Sequence, residues 1–498
     1  MKSAGCQWLK DHFKLSAYIL THSSFIGSNP HVELTSKGNV EEVFGSKYAP
    51  AEDAPLHHIE FALKYDDLNL DFLQAVFKNI PAKHVEEFIE KSPSGKYARR
   101  IGFLYELLTR HRLKLMKSIS GNYADLLDPE KYITSISVKD SRWKINNNLL
   151  GDWEFCPIIR QKKELKELIY IDISQKIHVL KKSYPSEIFR RVIQFLYKKE
   201  TKSSYEIEHE APSEDRIDKF ITLLRKAGTD STFTILREDR LVSLQEAIVD
   251  PRFAVNGFRD FQNYIGQTHP NFQQQIHYIC PPPAFVDSLM IGLQQSAVRT
   301  EGVNSVVRAA IISFGFVFIH PFDDGNGRIH RFLIHDTLVH DKVVPDDMII
   351  PVSAHMLNNM KDYDAILERY SGPLMQRVKY QLEENESITV SNPAQVEGYY
   401  RYPDLTEQVI YLLKTIHATL EHDMPEELLF LQRYDEAKRA LQMIVDMPDK
   451  DINWMLIYLH QNKGTFPKRR RDRFPKLTDD EIAGMQSVFR KVFEIDLE

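Results

Sequence analysis

The stretch "VVRAAIISFGFVFIHPFDDGNGRIHRFLIHDTLVHD", residues 306–341, reads as two helices and the loop that joins them. Up to Ile319 it is apolar nearly all the way round, which predicts a helix buried on every side. His320-Pro321 ends that helix, because proline has no N–H to give and biases the residue before it away from helix. Phe322 offers an apolar anchor for the loop. Asp323 and Asp324 follow, and Gly325-Asn326-Gly327 tolerates left-handed dihedrals. From Arg328 the helical spacing returns.

The loop carries chemistry as well as shape. Successive N–H groups of a glycine-rich turn form an anion nest, and the start of the next helix adds unpaired donors and a positive dipole end. Arg328 and Arg331, three apart, project from one face of that helix and can fork onto phosphate oxygens. Two arginines and a nest exceed what a monophosphate needs, so a polyphosphate is expected. Asp324 can hold Mg²⁺, which binds through one or two carboxylates together with substrate phosphates. His320, neutral for much of the time near pH 7, can take a proton from a hydroxyl. A plain helix–loop–helix with a core histidine would explain the turn, but not the acid, the histidine and both arginines together. Zinc is excluded by spacing: His330, His335 and His340 are five apart, not the three or four that align ligands on a helix.

Outside this stretch the 498 residues look like an ordinary multidomain globular chain, 43% hydrophobic and 27% charged, with a net charge of -6. That charge gives no whole-chain reason to expect nucleic acid or an anionic membrane. No run approaches the ~18 apolar residues of a membrane span, and the N-terminus does not read as a signal peptide. Cys6, Cys156 and Cys280 are too few and too scattered for a disulfide framework, which fits a cytoplasmic protein. Helical spacing dominates. "YITSISVKDSRWKINNNLLGDWEFCP" is expected to form short strands or an irregular insertion, with "SRWKINNN" at the surface. Polar stretches near 198 and 390 divide the chain into 1–197, a mostly helical region; 198–390, carrying the motif; and 391–498, a helical region. In the last, Asp404 with Glu407 and Thr478 with Glu481 have capping-box spacing. Leu428, Leu431, Ala437, Leu441 and Ile444 line one apolar face. The basic run "PKRRRDRFPK" reads as a solvated loop.

At residues 320–331 the chain resembles the Fic (Fido) family, whose signature is His-Pro-Phe, any residue, Asp or Glu, Gly-Asn-Gly-Arg, two of any kind, then Arg. His320, Pro321, Phe322, Asp324, Gly325, Asn326, Gly327, Arg328 and Arg331 meet it. The resemblance extends through "FRDFQNYIGQ" and "YICPPPAFVDSLMIGL" upstream and "SAHMLNNMKDYDAILERYSG" downstream, over 198–390. It implies a mainly α fold: a helical core with a short β-hairpin flap, flanked by an N-terminal region of helix with some strand and a C-terminal helical region. It also implies protein adenylylation from ATP and Mg²⁺. His320 would be the base, and Asp324 would hold the magnesium. Gly325, Asn326, Gly327, Arg328, Ile329, His330 and Arg331 would bind the nucleotide, with Tyr363 near the base. The flap, Tyr264 to Ile279 and including Ile265 and Gly266, would align a target segment by strand pairing.

"SSYEIEHE" places Ser204 and Glu208 four apart on one helix face. Many Fic proteins carry an inhibitory helix of the form Ser or Thr, three residues, Glu, then Gly or Asn, whose glutamate pairs with the second motif arginine. Here, near 203–210, that pair would be Glu208 and Arg331. The departure is His209 in place of Gly or Asn, and Glu206 is the alternative glutamate. Another segment, "AVRTEG", has Ala297 at the Ser/Thr position and is set aside.

The implied activity is therefore AMP transfer to a Tyr, Thr or Ser hydroxyl of a protein target, this chain itself included, with a homodimer left open. Alternatives are a different donor (UMP, phosphocholine or a bare phosphate) and removal of AMP from a modified target. A DNA-binding or regulatory module is disfavoured by the intact histidine and arginines.

Overall fold

A computed structural model of the protein describes residues 1–36, 38–268, 274–383 and 387–495. Helices dominate, with four small sheets among the described residues, so the mainly α expectation holds. The chain divides into two compact units.

The first unit comprises Met1–Ile171, Glu200–Asp347 and Val352–Thr415. At its N-terminal end, strands Lys2–Ala4, His22–Ile26, Val40–Phe44 and His31–Leu34 form one sheet in that order. His22–Ile26 and Val40–Phe44 run parallel. Helices Pro55–Tyr65, Leu70–Lys78 and Lys96–Thr109 supply a core around Ile59, Phe72, Val76, Phe77 and Ile101. The segment expected as short strands contains Val138–Asp140 and Ile145–Asn147, which pair, and Ala124–Asp125 joins Ile145–Asn147 on its other side. "SRWKINNN" is not a surface run, however. Trp143 and Ile145 are buried in that core, the Trp143 indole N–H donates to Glu106 Oε2 at 2.9 Å, and Arg142 donates to Glu106 Oε1 at 2.8 Å. A single large aromatic in a polar run carries no periodicity, so its burial is invisible to pattern reading.

The 306–319 segment forms the helix Ser305–Ile319, started by Asn304, whose side chain accepts from Val306 and Val307 N–H; every residue from Val306 to Ile319 is buried. Pro283–Arg299 and the motif helix Asn326–His340 pack against it. The expected hairpin is present: Tyr264–Thr268 and Gln274–Ile279 run antiparallel, with a bulge between Ile265 and Gly266. Its tip, 269–273, lies outside the described residues. Helix Met360–Met375 packs on the second hairpin strand.

The second unit comprises Asp172–Lys199, Met348–Pro351 and the chain from Ile416 onward. Helices Met424–Ile444, Asp449–Gln461 and Asp479–Phe493 enclose Leu441, Met455, Leu456, Met485 and Phe489. Leu428, Ala437 and Leu441 are buried as the apolar face required, whereas Leu431 and Ile444 are half-buried. Thr478 and Glu481 form the capping box. Asp404 and Glu407 do not. That helix begins at Thr406, so Asp404 accepts the N–H of Thr406 at 3.0 Å and Glu407 pairs with Lys162 instead. The basic run folds onto its own surroundings: Arg470 lies over Tyr458, Arg473 lies over Trp454, and Arg471 donates to the carbonyls of Phe474 and Leu477.

The polar stretch near 198 lies in the helix Ser186–Ile207, and the segment of the second unit that contains it ends at Lys199. Among the described residues, no helix is long and apolar enough to cross a membrane.

Candidate active site

The buried helix ends at His320, which sits in the left-handed region at φ 53° and ψ 59°. A non-glycine residue there costs about 1–2 kcal/mol, so its surroundings must hold it. The His320 ring lies with Nδ1 3.2 Å from the carbonyl of Val317. A carbonyl only accepts, so Nδ1 carries the proton and Nε2 keeps its lone pair. Burial above all pushes the His320 pKa down to about 4, and the Arg259 cation adds to the effect. The ring is thus neutral at physiological pH and able to accept a proton through Nε2.

Phe322 anchors the loop as expected, fully buried against Phe258 and Phe316. Asn326 closes it: its Oδ1 accepts the Phe322 N–H at 3.0 Å and its Nδ2 donates to the Phe322 carbonyl at 2.9 Å. That side chain builds the loop, and what Asn326 can offer a ligand is its main-chain N–H.

Gly325 takes φ 91°, and no side chain caps the motif helix that starts after it. The first-turn N–H groups are therefore the uncapped donors an anion seeks. Asp324 Oδ1 accepts from Gly325 N–H and Arg328 Nη2, both at 2.6 Å. Its side chain is 48% exposed, within reach of a cation carried in on phosphates. Among the described residues no cluster of three or more His, Cys, Asp or Glu could hold a metal. One accessible carboxylate nonetheless suits Mg²⁺ that arrives with a polyphosphate.

Both motif arginines are buried and occupied. Arg331 Nε donates to Ser204 Oγ at 2.9 Å, and its Nη2 donates to the Ser204 carbonyl at 2.7 Å and to Glu208 Oε1 at 2.8 Å. The structure thus brings together Ser204 and Glu208, which share a helix face by their spacing, and Arg331, the partner that the family resemblance implied. Glu208 also lies over the turn: a Cβ placed on Gly327 would come within 2.1 Å of Glu208 Oε1. Only glycine leaves the carboxylate room. His209 takes φ 56° just past the end of the helix Ser186–Ile207, the left-handed turn that Gly or Asn would supply more cheaply. Glu206, the alternative glutamate, is exposed.

Sequence reasoning missed a second carboxylate. Glu210 Oε1 pairs with Arg328 Nη1 at 2.7 Å, and its other oxygen pairs with Arg216 at 2.9 Å. Arg328 also lies over the Tyr205 ring at 5.3 Å. The turn at His209 therefore sets one acid on each motif arginine.

Tyr363 is buried, and its polar contact is with Arg331 at 3.5 Å, which places it behind the second arginine. Ile329 and His330 are fully buried; the His330 ring packs on Phe314 and Tyr363, and burial pushes its pKa to about 3. Their side chains belong to the core. Ile265 and Gly266 are exposed on the first hairpin strand.

Arg259 was also missed, although "FRDF" had been noted. It donates to backbone carbonyls, and no side-chain pattern reveals such a partner.

Comparison with known proteins finds a Fic/DOC family domain: residues 235–338 match that family's model, within the 198–390 span suggested by the motifs. Among solved structures, the chain is similar to a Fic family protein from Desulfovibrio desulfuricans G20, with 16% identity and a TM-score of 0.36, over 68% of this chain and 85% of that one. It is also similar to a Fic-domain-containing signaling protein from Bacteroides thetaiotaomicron VPI-5482, with 16% identity and a TM-score of 0.34, over 52% of this chain and 96% of that one.

Proposed function

We propose that this site is a self-inhibited protein adenylyltransferase, which moves AMP from Mg·ATP to a Tyr, Thr or Ser hydroxyl of a protein target. The observation that carries the reading is Arg331. A buried guanidinium beside an uncapped, glycine-led helix start is built for phosphate, yet it holds the carboxylate of Glu208, from 123 residues earlier in the chain.

In the active arrangement, His320 Nε2 takes the proton of the target hydroxyl while that oxygen attacks the α-phosphorus. The new O–P bond forms as the bond to the bridging oxygen breaks, and pyrophosphate leaves. Asp324 would hold magnesium together with the substrate phosphates, and the ion would supply positive charge against the departing pyrophosphate. The N–H groups of Gly325 to Gly327 receive phosphate oxygens, with Arg328 and Arg331 at the pyrophosphate end. The exposed hairpin strand aligns the target through main-chain pairing.

Inhibition follows from the same contacts. While Glu208 occupies Arg331 and Glu210 occupies Arg328, neither guanidinium is free for the polyphosphate. Asp324 is engaged as well, through Arg328. A reducing, cytoplasmic setting suits three free, buried cysteines.

The test is label transfer in lysate from ATP labelled at the α or the γ phosphate, with wild type, Glu208→Gly and Glu208→Gly/His320→Ala. Protein label from the α position alone, lost with His320, is the expected result. Label from the γ position would replace this reading with phosphate transfer. No label from either would point to another donor.

A further inference from the structure

Arg259 stands ahead of the hairpin and is 6% exposed. Its Nε donates to the His320 carbonyl at 2.8 Å, and its Nη2 donates to Pro281 O at 2.7 Å and Ile319 O at 3.4 Å. Its Nη1 donates to Phe261 O at 2.8 Å, and its own N–H reaches Pro321 O at 2.8 Å. Among the described residues no carboxylate pairs with this buried cation. Desolvation lowers its pKa, and the groups that act on it are Cys280, Tyr278 and Tyr400.

We propose that Arg259 is the positioning residue of His320: one guanidinium ties the carbonyls of Ile319 and His320 to the segments entering and leaving the hairpin, and so fixes the left-handed turn that presents Nε2. The proposal rests on the adenylyltransferase reading only for its kinetic consequence. Four lines of geometry carry it. The carbonyls of Ile319 and His320, at the end of the helix Ser305–Ile319, have no partner within that helix, and a cation at a helix C-terminus meets them with favourable dipole sense. His320 occupies a backbone region that persists only where neighbours over-determine it. A planar fork reaches carbonyls from three chain segments at once, which the single ammonium of lysine cannot do. Finally, Phe261 and Pro281 bracket the hairpin, so one side chain sets the base and the target-aligning strands in a common frame.

The charge of Arg259 acts in the same direction, against that of two nearby carboxylates. The groups facing His320 are Arg259, which disfavours the imidazolium, and Glu208 and Asp324, which favour it; burial decides in favour of the neutral ring.

The experiment uses the full chain, with Arg259→Lys, Arg259→Gln and Arg259→Ala made both alone and in the Glu208→Gly background. Nitrogen-15 histidine NMR reads the titration and tautomer of His320 directly, identified by its loss in His320→Ala. The expected result is a wild-type ring that stays neutral with Nδ1 protonated well below pH 6.5, and an Arg259→Lys ring with mixed tautomers and a higher titration point. In the Glu208→Gly background, Arg259→Lys lowers kcat about 100-fold, the scale of a small misplacement of a catalytic group, with KM for ATP little changed. Added guanidinium ion restores part of the rate of Arg259→Ala, and none of that of Arg259→Lys, whose ammonium fills the space. An unchanged His320 titration and tautomer in all three variants would overturn the proposal, and so would a kcat loss no larger than the loss of folded protein. If Glu208→Gly itself transfers no label, the adenylyltransferase reading fails, and the NMR result still decides the role of Arg259. If Arg259→Ala does not fold, the Lys and Gln variants carry the test.

Discussion

Two buried arginines serve one loop by different means. Arg331 meets side-chain oxygens, from Ser204 and Glu208, as well as the Ser204 carbonyl. Arg259 meets main-chain carbonyls alone, four of them, from Phe261, Pro281, Ile319 and His320. Glu208 lies just past the end of the helix Ser186–Ile207 with its side chain 35% exposed, and on the proposed reading it swings away and leaves its arginine to phosphate oxygens. The carbonyls cannot leave Arg259 unless the chain around them unfolds. The first partnership therefore suits exchange and regulation, and the second suits a fixed frame. The identity of the acceptor, more than the burial of the cation, separates a switch from a scaffold.

The largest effect expected is at His320. His320→Ala in the Glu208→Gly background should lower transfer by roughly 10²–10⁴-fold, the usual contribution of a positioned base, in a labelled-ATP assay. Glu208→Gly should itself raise transfer above wild type by about 10- to 100-fold. Breaking a fully buried pair is worth ~3–5 kcal/mol, and the partial exposure of Glu208 reduces that figure. A smaller rise than that from Glu210→Gln alone would reverse the ranking of the two acids. Glu210→Gln added to Glu208→Gly should raise the rate only a few-fold further, because Arg328 keeps Asp324 and loses one partner of two.

The fixed side makes a pH prediction. His320 titrates near 4 when folded and near 6.5 when unfolded. Between those values the unfolded chain binds the extra proton, so this residue lowers folding stability as pH falls through the window and contributes nothing above it. Denaturant unfolding at pH 7 and pH 5 should show a larger loss for wild type than for His320→Ala. The smallest effect is at the turn: His209→Gly removes a left-handed penalty of about 1 kcal/mol. It should stabilise the protein slightly in the same unfolding assay and leave transfer by the wild-type brake no higher.

What could be read from sequence follows the same division. The helix before the motif was legible because Val306 to Ile319 is apolar on every face, and the hairpin and mainly α fold followed from the motif's resemblance. That Ser204 and Glu208 share a face was legible from their spacing on a helix, and their contact with Arg331 from the resemblance alone. Glu210 was not, because its placement depends on the left-handed turn at His209, a conformation that histidine does not announce. Arg259 was hidden because its acceptors are carbonyls, and Trp143 because one aromatic in a polar run has no period. Asp404 and Thr478 offered the same spacing of acid and cap, yet only Thr478 sits at a helix start. Spacing names the candidates for a cap, and the first helical residue decides among them.

The central claim is that the carboxylate of Glu208 on Arg331 holds back an intact transferase. The most direct measurement is the initial rate of protein labelling from α-labelled ATP in wild type, Glu208→Gln and Glu208→Gly, each at one enzyme concentration with Mg²⁺. The account predicts the lowest rate for wild type, a higher one for Glu208→Gln, which loses the charge but keeps the shape, and the highest for Glu208→Gly. Equal rates in all three, or a fall on losing the carboxylate, would contradict it.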